Sequence, residues 1–175
     1  ALAKDAGFTD IVVDVRPTTG DVLFKTNLVD QVKFMYAWIG SNYTKVERTA
    51  TWDYLQAFVD EARKQGLRIH AGINTFIGGN QIDGGTGLLY RDQSKAEWAT
   101  QMNMQVGITS VMNTSESTKF FNPAHPEVQT FLCDLLKDLA GYDLDGIFLD
   151  RGRFLNLQAD FSEESRKQFE ETSTV

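Results

Sequence analysis

Tyr142-Asp143-Leu144-Asp145-Gly146-Ile147-Phe148-Leu149-Asp150-Arg151-Gly152-Arg153 is the stretch that decides the fold. A helix ends near Tyr142, and the acidic turn Asp143 to Gly146 leads into a short apolar run. That run stops at a carboxylate followed by two arginines, Arg151 and Arg153. Ile147 to Leu149 reads as a strand buried on both faces, as in a parallel sheet. A charge is costly in the middle of such a strand but can face a cleft at its C-terminal tip. In folds that alternate strands and helices, that tip is where chemistry is placed.

Working outward, the pattern is βαβαβα. Asp10 to Arg16 is β-branched and apolar, and Pro17 stops it. Residues 18 to 51 read as a long loop. Trp52 to Gln65 is an amphipathic helix with Leu55, Phe58, Val59 and Ala62 inward, Trp52 as a hydrophobic staple and Gly66 as its cap. Leu67 to Asn74 is the next strand. Residues 75 to 121 form a second long connection, with a hairpin signal between Trp98–Met104 and Ile108–Met112. Its Gly78-Gly79 and Gly84-Gly85 pairs read as loop flexibility, since neither has a phosphate-binding context. Pro126 opens a helix that runs to Gly141, with His125 as its start residue and Val128, Phe131, Leu132, Leu135, Leu136 and Leu139 inward. Ser162 opens the last helix. Connections after the strands are long and those before them are short. Right-handed crossovers put all the long loops on one face, where they build a site. A barrel and an open doubly wound sheet share this polarity, and the spacing does not separate them.

Composition limits the partners. Of 175 residues, 42% are hydrophobic and 23% charged, an ordinary globular balance sufficient for one domain with a real core. Seventeen basic against 24 acidic residues give a formal charge of −7, which disfavours nucleic acid and anionic membrane. No run is long and apolar enough to insert in a membrane. Two histidines and one cysteine, widely separated, make no metal site, and no cofactor is expected. Cys133 reads as a small core residue on the apolar side of its helix. The first residues read as the end of a helix closed by Gly7, and no strand follows the last helix. The chain is therefore expected to be an excerpt of a longer protein, whose open sheet edges could pair with a second copy.

Four segments, in this order and spacing, resemble the glycosyl-hydrolase-like family 10 domain, a (β/α)-barrel family of bacterial envelope proteins. They are residues 6–17 (AGFTDIVVDVRP), 62–74 (ARKQGLRIHAGIN), 122–128 (NPAHPEV) and 142–150 (YDLDGIFLD). The α-amylases share the fragment Asp145-Gly146-x-x-x-Asp150. The resemblance implies a partial TIM (β/α) barrel in which residues 1–175 form one glycoside-hydrolase-like fragment, about strands 2 to 4. It also implies a periplasmic, cell-envelope or secreted setting and a polysaccharide or peptidoglycan-like glycan as substrate. The alternative is a non-catalytic carbohydrate-binding or scaffolding barrel domain.

Carried over residue by residue, Asp150 matches the acid at the tip of the fourth strand and is the catalytic candidate. The family commonly follows it with a second acid, where this chain has Arg151. Arg16 matches the arginine ending the second strand, and His70 and Asn74 match polar positions of the third. Arg16, His70, Asn74, Arg151 and Trp38 are the substrate-binding candidates. Gly72 and Thr75 replace the family's usual tryptophan and proline, so the sugar-facing aromatic surface is expected from Tyr36, Trp38, Tyr90 or Trp98. Glycoside hydrolysis needs two carboxyl groups, one with a raised pKa. The arginines beside Asp150 suit a nucleophile or charge stabiliser better than a proton donor. Asp14 is the closest candidate for a partner, with Asp83 and Glu116 on loops, and the true partner is expected on later strands. Bland readings stand beside these: Asp150 capping a loop or pairing with Arg16, Arg16 in a buried ion pair, His70 as a satisfied core histidine, Asn74 closing a turn.

Overall fold

The computed structural model describes residues 2–173. Its centre is a three-stranded parallel sheet made of β1 (Asp10–Arg16), β4 (Arg68–Asn74) and β9 (Gly146–Asp150), in the order β1-β4-β9. Asp10 pairs with Arg68, and His70 pairs with Gly146, so all three C-terminal ends lie on one side. A register shift between Asp14 and Arg16 bends the tip of β1.

Two crossover helices cover one face. α2 (Tyr54–Gln65) starts at Asp53, whose side chain accepts from the Gln56 amide, and ends at Gly66 in the left-handed region, φ 65°. α4 (Pro126–Ala140) starts at His125, whose Nδ1 accepts from the Glu127 amide. Leu55, Val59 and Ala62 of α2 and Leu135 and Leu139 of α4 pack with Val13, Val15, Ile69, Ala71 and Ile73 of the sheet in one core. Alternation along a strand sends the intervening residues to the opposite face: Val12 and Asp14 on β1, His70, Gly72 and Asn74 on β4, Phe148 and Asp150 on β9. Below the sheet, the acidic turn is a clamp. Arg63 of α2 donates to both Asp143 and Asp145, and Asp145 also accepts from the Ile69 amide.

The structure corrects several expectations. β9 is not buried on both faces: Phe148 is 59% and Leu149 53% exposed, because β9 is an edge strand of this sheet. Residues 18–51 are not only loop. They contain an antiparallel hairpin, β2 (Phe34–Ile39) and β3 (Asn42–Glu47), joined by Gly40-Ser41 with Gly40 at φ 61°. The second long connection holds a short helix, α3 (Leu88–Arg91), and two small ladders. β5 (Ile77–Asn80) pairs with β8 (Thr118–Phe120), and β6 (Gln101–Met104) pairs with β7 (Gly107–Ser110), close to the expected hairpin. A second core forms under these ladders, with Trp98, Met102 and Phe121 against Val128, Phe131 and Leu132 of α4. Gly78 and Gly79 are packing positions and not flexible links. A side chain at 78 would meet Leu89 and Phe121, and one at 79 would meet the Thr86 carbonyl. Cys133 is exposed, because it lies one residue past the buried stripe of α4. Phe58 and Trp52 are also substantially exposed. The chain begins with α1 (Leu2–Asp5) and ends with α5 (Glu163–Thr172), capped by Ser162 through the Ser165 amide. No described helix is long and apolar enough to cross a membrane.

Candidate functional site

The C-terminal tips of β1, β4 and β9 are tied together by one amide. Asn74 Nδ2 donates to the Arg16 carbonyl at 2.9 Å, and Asn74 Oδ1 accepts from Arg151 Nε at 2.9 Å. Asn74 is buried and pairs with Asp150 in the ladder, so its side chain bridges the neighbouring strands on both sides. The Thr75 amide donates to the Asp150 carbonyl at 2.7 Å, which closes the tip of β9 against β4. Arg151 sits at φ 49°, a left-handed conformation disfavoured for a side-chain-bearing residue by about 1–2 kcal/mol. Two bonds hold it there: Nε to Asn74, and its own amide to Asp150 Oδ1 at 2.7 Å. Strain held by its surroundings at a strand tip is a feature of functional sites.

Arg16 is wholly buried and donates to the main-chain carbonyls of Asn74, Thr75 and Ile77. Burial lowers its pKa to about 10, against the pull of Asp21 and Asp14. Neither a direct ion pair with Asp150 nor a surface for substrate is present at Arg16. The guanidinium braces the turn from β4 into β5 from below, and so positions Asn74. Arg16 Nε and Thr75 Oγ1 beside it are buried without a hydrogen-bond partner.

Two carboxylates stay open to solvent at this end, beside the half-exposed Arg151. Asp14 and Asp150 project from the face opposite the helices. The Asp14 carboxyl is pushed above its usual value, first by partial burial and then by the charge of Asp150, while the Arg16 amide, donating at 3.2 Å, pulls it down. Asp14 was the nearest of the weaker sequence candidates. The signal that marks it out is its parity on β1, between the inward Val13 and Val15.

The structure does not bring His70 or Trp38 to this cluster. His70 Nε2 lies 2.9 Å from Asp10 Oδ1, and Arg68 donates to the same carboxylate, so the histidine belongs to an ion-pair group near the N-terminal end of the sheet. Four residues separate it from Asn74, about 13 Å along a strand. Trp38 is exposed on the β2–β3 hairpin, where it packs on Tyr43. Trp98 is a core residue and not a loop platform. It is buried, and its Nε1 donates to Glu127 at 3.0 Å. Among the described residues no His, Cys, Asp and Glu cluster forms a metal site.

A parallel α/β unit with helices on one face and two exposed carboxylates near its strand tips is compatible with a glycoside-hydrolase-like domain. Residues 1–172 match the glycosyl hydrolase-like 10 family, and the chain belongs to that family. It is 30% identical over 174 residues to an S-layer-related protein of Niallia circulans, a match that covers 96% of this chain and 10% of that protein. The chain thus spans about a tenth of the length of this curated relative. Two solved structures share the fold. One is a hypothetical protein from Ruminiclostridium thermocellum, with TM-score 0.58 and 15% identity, covering 99% of this chain and 84% of that one. The other is alpha-L-fucosidase isoenzyme 2 from Paenibacillus thiaminolyticus, with TM-score 0.61 and 16% identity, covering 97% of this chain and 22% of that one.

Proposed function

We propose that the chain is part of a glycoside hydrolase acting on a polysaccharide or peptidoglycan-like glycan, with Asp150 and Asp14 as its carboxyl pair. The observation that carries this is the placement of two exposed acids, Asp14 and Asp150, on the same face of the sheet near the C-terminal ends of parallel strands. Asp14 lies level with Gly72 and Asp150 level with Asn74. Two strand spacings and two residues of offset put their α-carbons about 12 Å apart. Retention needs about 5–5.5 Å between carboxyl groups, so this wider spacing fits better the range of about 6.5–9.5 Å used for inversion, with a water between them. In this scheme protonated Asp14 donates to the leaving glycosidic oxygen. Asp150 takes a proton from the water that attacks the anomeric carbon. Arg151, fastened by Asn74, donates its own amide to the Asp150 carboxylate and stands beside the developing charge.

The three strands act as about the second to fourth of a (β/α) barrel, and the exposed Phe148 and Val12 face its interior. The S-layer-related relative favours a cell-envelope or secreted setting. A second reading, a glycan-binding scaffold without turnover, is favoured by Arg151 standing where the family commonly has an acid.

The test is reducing-sugar release from a panel of polysaccharides and denuded peptidoglycan. It is run on this chain and, where the protein continues beyond it, on the longer polypeptide. Three strands of the eight that close a barrel are expected to give little turnover alone. Asp150→Asn and Asp14→Asn are each expected to lower the rate of the active form by at least a hundredfold. Activity should also fall as pH rises through the raised Asp14 value, because the donor is then deprotonated. Unchanged turnover in both variants overturns the acid pair, and glycan binding without turnover in any form selects the scaffold reading.

A further inference from the structure

We infer that the β2–β3 hairpin is a glycan-binding platform that extends the strand-tip site into a row of sugar subsites. This rests on the reading of the chain as a glycan-acting domain and adds where the chain of sugars lies. Phe34, Tyr36 and Trp38 alternate along β2, and Tyr43 stands opposite Trp38 on β3, so all four rings share one face. They form a continuous ladder. Phe34 and Tyr36 are 6.0 Å apart edge to face, Tyr36 and Tyr43 are stacked at 5.3 Å and 24°, and Tyr43 and Trp38 are 5.4 Å apart. The outer end is open, with Trp38 71% and Tyr43 58% exposed.

The inner end is anchored. Lys45 lies 4.3 Å above the Phe34 ring and bonds Asp83 of the next post-strand loop at 2.7 Å. A hairpin fastened to the neighbouring loop presents its rings with a smaller ordering cost on binding than a free one.

Continuity with the strand tips selects the occupant. A cleft of about 770 Å³ is lined by Phe34, Tyr36 and Tyr43 of the hairpin together with Asp14 and Pro17 at the end of β1. A ligand lying on the rings therefore reaches the raised-pKa carboxyl. Ring faces bordered by hydrogen-bonding side chains match the apolar faces and hydroxyl-bearing edges of pyranose sugars. The rings make one continuous wall, and Phe34 to Trp38 spans four residue steps, about 13 Å along the strand, which favours an extended chain of sugars over a single one. The acidic surface, at net charge −7, favours a neutral or amino-sugar polymer over a polyanion.

The test is affinity electrophoresis of the 175-residue chain through gels containing soluble neutral polysaccharides or glycol chitin. Wild type, Trp38→Ala/Tyr43→Ala and Asp150→Asn are compared, with circular dichroism to check folding. Both rings are exposed, so the double variant should fold. Retardation of wild type by at least one polymer is expected, with at least a tenfold larger dissociation constant in the double variant. Equal binding by the double variant and wild type overturns the platform. If Asp150→Asn has meanwhile lost turnover, the hydrolase reading survives that result. No binding of any polymer by wild type overturns the platform too. A concentration-dependent dimer dissolved by the double variant, without glycan retardation, assigns the face to a second copy and overturns the proposal.

Discussion

Asn74→Leu separates the strand-tip architecture from its chemistry. The replacement keeps the volume and removes both polar atoms. The Arg16 carbonyl loses its bond from Asn74 Nδ2 in a buried setting, which costs about 1–3 kcal/mol. Arg151 Nε loses its acceptor but is half-exposed and can turn to water, a cost of about 1 kcal/mol. The leucine returns about 1 kcal/mol by burying apolar surface. The net expectation is a loss of about 2 kcal/mol, which in a domain of this size lowers Tm by roughly 4–8 °C. Urea unfolding followed by tryptophan fluorescence and circular dichroism measures it. Asn74→Asp is the companion. Ionised, it opposes the Arg16 carbonyl, and protonated, it can donate to it. Its other oxygen still accepts from Arg151, so it removes the bond to the Arg16 carbonyl alone and should cost about 1–3 kcal/mol at neutral pH. A loss below about 0.5 kcal/mol in Asn74→Leu would refute the bridging role.

Further expectations follow from single sites. Arg151→Gly should be about 1 kcal/mol more stable than Arg151→Ala, because glycine accepts φ 49° freely while both lose the bond to Asn74; equal stabilities in urea titration would count against strain at this residue. The Asp10 carboxyl is held well below its ordinary value by hydrogen bonds from Arg68, then His70 and Thr9. Because its folded pKa is depressed, its contribution is present above the unfolded value of 3.8 and lost as pH falls below it. Asp10→Asn should flatten that part of the acid limb of stability, and an unaltered limb would remove Asp10 as its source. Cys133, exposed on α4, should react with an aromatic disulfide reagent in the native state as one thiol per chain; reaction only after denaturation would contradict its exposure.

The scaffold was legible because its signals are local. β-branched runs ended by proline, an amphipathic stripe closed by Gly66, and Pro126 at the start of a leucine-rich stripe each point to one conformation. Together they place the three strands and two crossover helices. The β2–β3 hairpin carried its own signal, aromatic alternation around Gly40-Ser41. A long connection rich in polar residues masked it.

The order of the residues therefore determined the parallel frame, the family resemblance and the position of Asp150 at a strand tip. Tertiary structure alone decided which polar side chains meet. Arg16 turns inward onto carbonyls, and His70 is held near the other end of the sheet by Asp10. Asn74 joins three strands, and Asp14 faces the same solvent as Asp150. The edge exposure of β9 and the inward turn of Trp98 were likewise invisible in one dimension. The physical reason is that periodicity reports which face of an element a residue occupies. Sheet order, register and crossover set what that face meets, and those depend on contacts between residues some sixty to eighty positions apart.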